Sequence, residues 1–114
     1  MNDEHLDAPE IPEDEDTTLT ANALKAMAHP LRWKILCSLG DQELSVGEIV
    51  ERTGTSQSNI SQHLEQLRNK NIVVARKEAN RIFYRIRNPQ LLDLISIMRG
   101  VLCPANLDDR YPNA

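Results

Sequence analysis

The spacing of apolar residues changes between residues 45 and 87 from a helical to an alternating pattern, and this change limits the possible folds more than any other feature. Two short helical patterns come first, separated by a tight turn after Gly54, and the second covers about residues 57–71. Residues 72–78 and 81–87 then alternate between apolar and polar side chains, which is typical of paired strands. The segment therefore predicts two helices joined by a tight turn and followed directly by a β-hairpin.

Local signals define the ends of these elements. Ser45 and Glu48 have the spacing of a capping box, in which each side chain binds the other residue's backbone amide at the start of a helix. The hairpin turn is predicted at Ala79-Asn80. The second helix carries three apolar residues on one side, and we predict that these are buried: Ile60, Leu64 and Leu67.

Helical patterns also flank this segment. A first helix is predicted from about Thr18 to Ala28, with the threonines at 17, 18 and 20 as candidate N-caps. The next helix opens at Pro30, ends at Gly40 and leads into a turn at 41–43, because proline suits a first helical turn and glycine a C-cap. A last helix is predicted over about residues 90–102, with Asn88-Pro89 as its cap and first turn.

The last predicted helix is apolar around more than one side, which is typical of a helix buried on two sides. In so small a domain we expect the second side to face another copy of the chain. The alternative is that the first helix of the same chain covers it. The apolar residues are Leu91, Leu92, Leu94, Ile95, Ile97, Met98, Val101 and Leu102.

The net charge of −4 combines two different regions. Residues 1–16 contain eight carboxylates and no Lys or Arg, whereas the rest of the chain carries 13 basic against nine acidic residues, and residues 56–87 seven against two. We predict an acidic disordered tail over residues 1–17, one domain over 18–103 and a C-terminal tail over 104–114. The acidic tail acts either as a solubility segment or as a competitor for the basic surface.

Several classes of protein are not supported by the composition. No apolar run approaches the roughly 20 residues that cross a bilayer, and the acidic N-terminus is unlike a signal peptide, so we expect a cytoplasmic protein without a membrane partner. The 114 residues suit one domain. We find no Gly-rich phosphate loop, no nucleophile–base set and no paired carboxylates, and therefore do not expect an enzyme.

The side chains outside the predicted core suit double-stranded DNA. Gln and Asn can bind adenine edges, Ser can donate or accept, and cations of the hairpin can bind phosphates. The alternatives are a solvated polar helix with a charged hairpin, or a winged-helix module that binds protein. The candidate DNA-binding residues are Ser56, Gln57, Ser58, Asn59, Ser61, Gln62 and His63 on the helix and Arg76, Lys77, Asn80 and Arg81 on the hairpin.

Four segments resemble the ArsR/SmtB family of winged-helix repressors: LKAMAHPLR at 24–32, SVGEI at 45–49, SQSNISQHL at 56–64 and IFYRI at 82–86. The resemblance covers residues 19–103. It implies a fold that is mainly α with a β-hairpin, a winged helix-turn-helix of about five helices and a two-stranded wing. It also implies a homodimer through the first and last helices, bound to an imperfect inverted repeat, with residues 56–58 and 61–63 in the major groove. His63 has an alternative role as a structural hydrogen-bond partner.

Metal sites of this family do not fit the sequence. Ser45 and Gly47 stand where one site has two cysteines, and Asp93 on the last helix has no histidine beside it. We therefore predict no metal and no cofactor.

Cys37 and Cys103 are the only cysteines. From composition alone they are better explained as small buried apolar residues than as reactive thiols. Their positions, however, resemble the family's thiol-sensing subgroup, which implies a redox or persulfide sensor switched by a small-molecule sulfur compound or oxidant. Such a switch forms a disulfide or a longer sulfur bridge. Lys34 and Arg99 each lie one turn before a cysteine and are candidates to favour its thiolate.

Two other inducers remain open at this point. Cys37 and Cys103 supply two thiolates, which an arsenite-type metalloid would accept. Cys103-Pro104 also resembles a haem-regulatory dipeptide.

Overall fold

The computed structural model describes residues 9–103, and these form five helices and three strands. The predicted fold class is confirmed, with one additional short strand. In chain order the elements are α1 Asp14–Met27, α2 Pro30–Leu39, β1 Leu44–Ser45, α3 Val46–Thr53, α4 Gln57–Asn69, β2 Val73–Glu78, β3 Arg81–Ile86 and α5 Pro89–Leu102.

Side-chain caps begin four of the five helices. The capping box at α3 is present as predicted, because the Ser45 amide donates to Glu48 Oε1 at 2.9 Å and the Glu48 amide donates to Ser45 Oγ at 3.3 Å. Asn88 caps α5 by accepting the Leu91 amide at 2.8 Å. At α2 the cap is His29, whose Nδ1 accepts the Leu31 amide. Ser56 caps α4.

The start of α1 differs from the prediction. The helix begins at Asp14, so residues 14–17, predicted to belong to the acidic tail, are helical, and the threonines at 17, 18 and 20 are not caps. Three acidic residues lie in the first turn, where negative charge interacts favourably with the helix dipole. Residues 1–8 and 104–114 lie outside the described residues, so most of the predicted tails is not tested.

The strands form one antiparallel sheet in the order β1-β3-β2. β2 and β3 pair along their whole length, from Val73 opposite Ile86 to Glu78 opposite Arg81. β1 lies within the segment expected to join the predicted turn to α3, and it pairs with only two residues of β3, Tyr84 and Phe83. A two-residue strand has no alternating pattern, and the sequence therefore gives no sign of it.

The core lies between α2, α3, α4 and the sheet. All three residues predicted for the buried side of α4 are fully buried, together with residues of α2 and α3. On α5 only Ile95 is buried. Other large apolar residues of this helix are partly buried and pack against the edge of the core. None of the helices within residues 9–103 combines the length and the apolar character that a membrane-spanning helix requires.

One apolar surface is left exposed in the single chain. Ile97 is 63% exposed, Leu102 65% and Leu19 62%, so α1 of the same chain does not cover the second side of α5. We call this surface the apolar face. Its members on α1 and α5 are Leu19, Leu24, Leu94, Ile97, Val101 and Leu102.

Candidate nucleic-acid interface and cysteine pair

The outer side of α4 is polar and accessible. Because Ile60, Leu64 and Leu67 point into the core, the residues between them face outward. Four of the predicted DNA-binding side chains are exposed and form no hydrogen bond within residues 9–103: Gln57, Ser58, Ser61 and Gln62.

Two other residues that were predicted to contact DNA stabilise the turn before α4. Ser56 Oγ accepts the Asn59 amide at 3.2 Å, and Asn59 Nδ2 donates to Thr55 Oγ1 at 3.3 Å. Both side chains are exposed and each keeps one polar group for an outside partner, the Ser56 hydroxyl hydrogen and the Asn59 amide oxygen. These residues therefore fix the start of the helix as well as facing solvent.

His63 is tied to another helix. Its Nδ1 accepts a hydrogen bond from Arg32 Nε of α2 at 3.1 Å, and the ring centroid of His29 lies 4.5 Å away. Burial, followed by His29 and Arg32, lowers the pKa of His63 below its ordinary value. The ring is therefore neutral at pH 7, with its proton on Nε2, and makes the structural hydrogen bond proposed as its alternative role.

The hairpin residues fall into two groups. Arg76 binds the Glu43 carboxylate through Nη2 at 2.7 Å and Nε at 3.1 Å, and also pairs with Glu78. Arg81 Nη2 donates to Ser45 Oγ at 3.1 Å. Within the described residues, the Lys77 and Asn80 side chains have no such partner and are exposed.

A groove of about 570 Å³ separates α4 from the hairpin. We call the exposed polar residues of these two elements the reading surface, of which Gln57, Ser61, Asn80 and Arg81 line the groove. Its members are Gln57, Ser58, Ser61 and Gln62 on α4 and Lys77, Asn80 and Arg81 on the hairpin. Glu65 also lines the groove, but Arg68 pairs with it at 2.6 Å and offsets its charge.

The two cysteines lie on helices that pack against each other. Cys37 on α2 and Cys103 at the end of α5 are half-buried free thiols, 66 residues apart in the sequence. Burial raises the pKa of Cys37, the Arg99 guanidinium lowers it by a smaller amount, and the charge of Cys103 raises it. Lys34, a candidate from sequence, instead donates to the Thr53 carbonyl at 2.8 Å.

A mainly apolar groove of about 680 Å³ opens beside Cys103 and Arg99. It lies between the end of α1, the start of α2 and the end of α5, and it adjoins the apolar face. Its apolar lining is Leu24, Met27, Ala28, Pro30, Trp33, Met98 and Leu102.

The positions considered for metal ligands have other roles. Ser45 caps α3, and Gly47 is exposed in its first turn. Within residues 9–103, no three His, Cys, Asp or Glu side chains come together in a way that would hold a metal ion.

Two helices joined by a tight turn, the second polar outside, with a hairpin beside it, define a winged helix-turn-helix protein. The profile of the family described as "Bacterial regulatory protein, arsR family" matches residues 29–74. The transcriptional activator HlyU of Vibrio cholerae is 46% identical over 83 residues, which cover 73% of this chain and 77% of HlyU. The chain therefore belongs to the arsR family of bacterial regulatory proteins.

Other relatives and solved structures support the assignment to this family. The biofilm growth-associated repressor of Xylella fastidiosa is 36% identical, over 73% of each chain. The structure of Vibrio cholerae HlyU superposes with a TM-score of 0.73 at 40% identity, covering 80% of this chain and 99% of HlyU. A possible ArsR-family regulator of Mycobacterium bovis, a homodimeric winged helix-turn-helix DNA-binding domain, has a TM-score of 0.73 at 28% identity, covering 86% of this chain and 93% of its own.

Three groups around these sites were not predicted from the sequence. Glu43 was placed in a turn, His29 was not recognised as a cap, and Arg99 was considered only for its neighbour Cys103. His29 stands directly before the predicted Pro30 start, so its capping position was readable from the sequence. The contacts of Glu43 and Arg99 join distant segments and have no local signal.

Proposed function

We propose that this protein is a homodimeric DNA-binding transcriptional repressor whose affinity for DNA is switched by oxidation or sulfur bridging of Cys37 and Cys103. The observation that carries the proposal is that α2, which bears Cys37, packs against α5, which ends at Cys103, in a chain that also has a reading surface. The arsR family supports a regulatory role.

DNA binding is supported by the chemistry of the reading surface. The amides of Gln57 and Gln62 match the hydrogen-bonding edge of adenine in the major groove, and the small side chains of Ser58 and Ser61 allow close approach. Lys77 on the hairpin supplies a cation for a phosphate. Because α4 and the hairpin flank one groove, a DNA strand can be held between them.

A homodimer is supported by the apolar face. Burying each large apolar side chain contributes about 1.5–3 kcal/mol, so a symmetric contact of α1 and α5 would stabilise a pair of chains. The Mycobacterium bovis relative is described as homodimeric. A two-fold axis would place the two α4 helices on half-sites about 34–36 Å apart, which requires an inverted repeat in the DNA.

We assign the first chemical step to Cys103, because Cys103 lines the open groove, whereas burial raises the pKa of Cys37 and so decreases the fraction of its reactive thiolate. With an organic disulfide R–S–S–R, the Cys103 thiolate attacks one sulfur, the S–S bond breaks and R–S⁻ leaves. The Cys37 thiolate then attacks the Cys103 sulfur and expels the second R–S⁻. The two protein thiols are oxidised, the reagent is reduced, and the thiol protons go to the leaving groups.

Other sulfur compounds react by the same steps. A persulfide R–S–S–H gives the same bridge, with R–S⁻ and HS⁻ as the leaving groups. With a trisulfide R–S–S–S–R, attack on the central sulfur at both steps leaves that sulfur between the cysteines. A direct disulfide requires Cα atoms within about 7 Å, and an inserted sulfur relaxes this limit.

The bridge would join the end of α5 to the last turn of α2. Since α5 carries much of the apolar face and α2 packs against α3 and α4, the bridge alters the angle between the two reading surfaces of a dimer. A small rotation prevents simultaneous docking on both half-sites. A coupling of about 1–3 kcal/mol is typical of such switches.

The proposal is tested with a DNA duplex that the reduced protein selects from a random-sequence library. We expect treatment with glutathione disulfide or trisulfide to weaken binding of the wild type and of Ser38→Ala about 5- to 150-fold, the range of such couplings. Cys37→Ser and Cys103→Ser should keep their affinity. If the treated wild type carries the bridge and binds as tightly as the reduced protein, the switch is wrong.

Mass spectrometry of the same samples tests the order of the steps. The wild type should lose two hydrogens, and gain one sulfur with the trisulfide. Cys37→Ser should retain the reagent as a mixed disulfide at Cys103, because its second thiol is missing. Faster modification of Cys37 in Cys103→Ser would reverse the assignment of the attacking thiol.

A further inference from the structure

Arg76 crosses the sheet from one edge strand to the other. In the register of the strands, Ser45 of β1, Phe83 of β3 and Arg76 of β2 form one row. The Arg76 side chain extends over Phe83, with its guanidinium carbon 4.9 Å from the ring centroid, and reaches Glu43 just before β1. The Arg76 side chain therefore connects β2 to the segment that leads into β1.

We propose that the Glu43–Arg76 ion pair positions the hairpin for DNA, so that Glu43 promotes DNA binding although its charge repels phosphate. Arg76 is then a positioning residue, and Lys77 is the cation of the hairpin that meets a phosphate. This inference rests on the proposed DNA binding, and it differs from the sequence expectation that Arg76 itself contacts DNA.

The charges around Arg76 support this role. Glu43 holds its guanidinium through two nitrogens, and Glu78 binds a third. The bond from Arg76 lowers the pKa of Glu43, so this carboxylate is charged at neutral pH. A phosphate at Arg76 would have to approach two carboxylates, whereas Lys77 has no acidic partner in the described part of the chain.

The geometry of the hairpin shows why a further contact is needed to fix its position. β1 pairs only with Phe83 and Tyr84, so residues 77–82 extend past the third strand. β1 runs directly into the capping box of α3, the first helix of the helix-turn-helix. The bond from Arg81 to Ser45 Oγ joins the same two regions. The ion pair thus sets the position of the hairpin relative to the helices that precede α4.

The test is Glu43→Gln, with Glu51→Gln as the matched control. Glu51 is exposed on α3 and forms no hydrogen bond or ion pair with another described residue. Each change removes one negative charge, so repulsion alone predicts equal or tighter binding for both. We expect Glu43→Gln to weaken binding to the selected duplex about two- to fivefold, the upper part of the range of an exposed ion pair, and Glu51→Gln not to weaken it.

A double-mutant cycle and the salt dependence separate positioning from direct contact. In an Arg76→Gln background, Glu43→Gln should have no further effect, because the pair is already broken. Lys77→Gln should reduce the slope of log affinity against log salt by about one, whereas Arg76→Gln should leave it nearly unchanged.

Three results would overturn the inference: Glu43→Gln binding as tightly as the wild type, additive effects in the cycle, or a slope change of about one for Arg76→Gln. Thermal melts confirm that each variant is folded. If the wild-type protein selects no duplex, the proposed DNA binding itself is wrong. If the wild type binds and Glu43→Gln binds equally well, only the positioning role is wrong.

Discussion

The reading surface and the apolar face differ in how far a single chain completes them. Around the reading surface, Ser56 caps α4, Asn59 binds Thr55 and Arg76 binds Glu43, so bonds within one chain fix the backbone that presents the exposed side chains. On the apolar face, large side chains such as Ile97 and Leu102 are exposed to more than half of their area.

This difference separates two requirements for binding a repeated DNA site. In the proposed complex, each chain would prepare its own contacts to a half-site, because the bonds that shape the reading surface lie within one chain. In the proposed dimer, the distance between the two half-site contacts is set only when two chains meet through the apolar face. A change at the apolar face can therefore alter DNA binding without moving any DNA-contacting residue within its chain.

The largest effect is expected from Ile97→Glu, which tests whether two chains meet through the apolar face. A charge at this position would be buried and unpaired in the proposed dimer, at a cost of about 3–5 kcal/mol. We expect the dimer dissociation constant to rise at least about a hundredfold, measured by sedimentation, while the monomer stays folded. Ser96→Glu adds the same charge at the preceding exposed position and should raise the dimer dissociation constant less. An undisturbed dimer in Ile97→Glu would remove α5 from the interface.

A smaller effect is expected from Gln62→Ala on the reading surface. Loss of one two-point contact to adenine costs about 1–3 kcal/mol, so affinity for the selected duplex should fall about 5- to 150-fold and sequence preference should relax at one position. Gln66→Ala removes the same side chain one turn later on α4 and should have little effect. Neither variant should change the dissociation constant of the dimer. Equal losses in both variants would contradict a specific contact by Gln62.

The sequence predicted those parts of the reading surface that depend on neighbours in the chain. The capping box of Ser45 and Glu48, the buried side of α4 and the hairpin turn at Ala79-Asn80 each follow from residues a few positions apart, and all are present. The α5 part of the apolar face was predicted by the same reasoning, since α5 has more apolar residues than one core can bury, whereas the part on α1 was expected only from the family resemblance.

Contacts between distant segments could not be predicted in this way. β1 exists because Leu44 and Ser45 meet β3 about 40 residues later, and Arg32 meets His63 across 31 residues. Lys34 was a reasonable candidate beside Cys37, but its side chain caps the end of α3, and the cation that acts on Cys37 comes from α5. Spacing within one helix does not show which neighbouring helix a side chain reaches.

The smallest predicted effect concerns the bond between α2 and α4, and it is a pH dependence. Because the pKa of His63 is lower in the folded chain than its ordinary value of 6.5, the unfolded chain binds more protons on acidification. The free energy of unfolding should therefore decrease as the pH falls below about 6.5 and be independent of His63 above about 7.5. His63→Gln keeps an acceptor for Arg32 but does not titrate, so its urea-unfolding curves should vary less with pH. An unchanged pH dependence in this variant would show that His63 does not contribute.

The same measurement can test whether α2 links the two surfaces. Arg32, which binds His63, and Cys37 lie on the same helix, so a sulfur bridge that moves α2 should also change the Arg32–His63 contact. If so, the difference between wild type and His63→Gln will depend on whether the cysteines are reduced or bridged. If the difference is the same in both states, the bridge acts through α5 and the apolar face alone, and the reading surface within each chain keeps its shape.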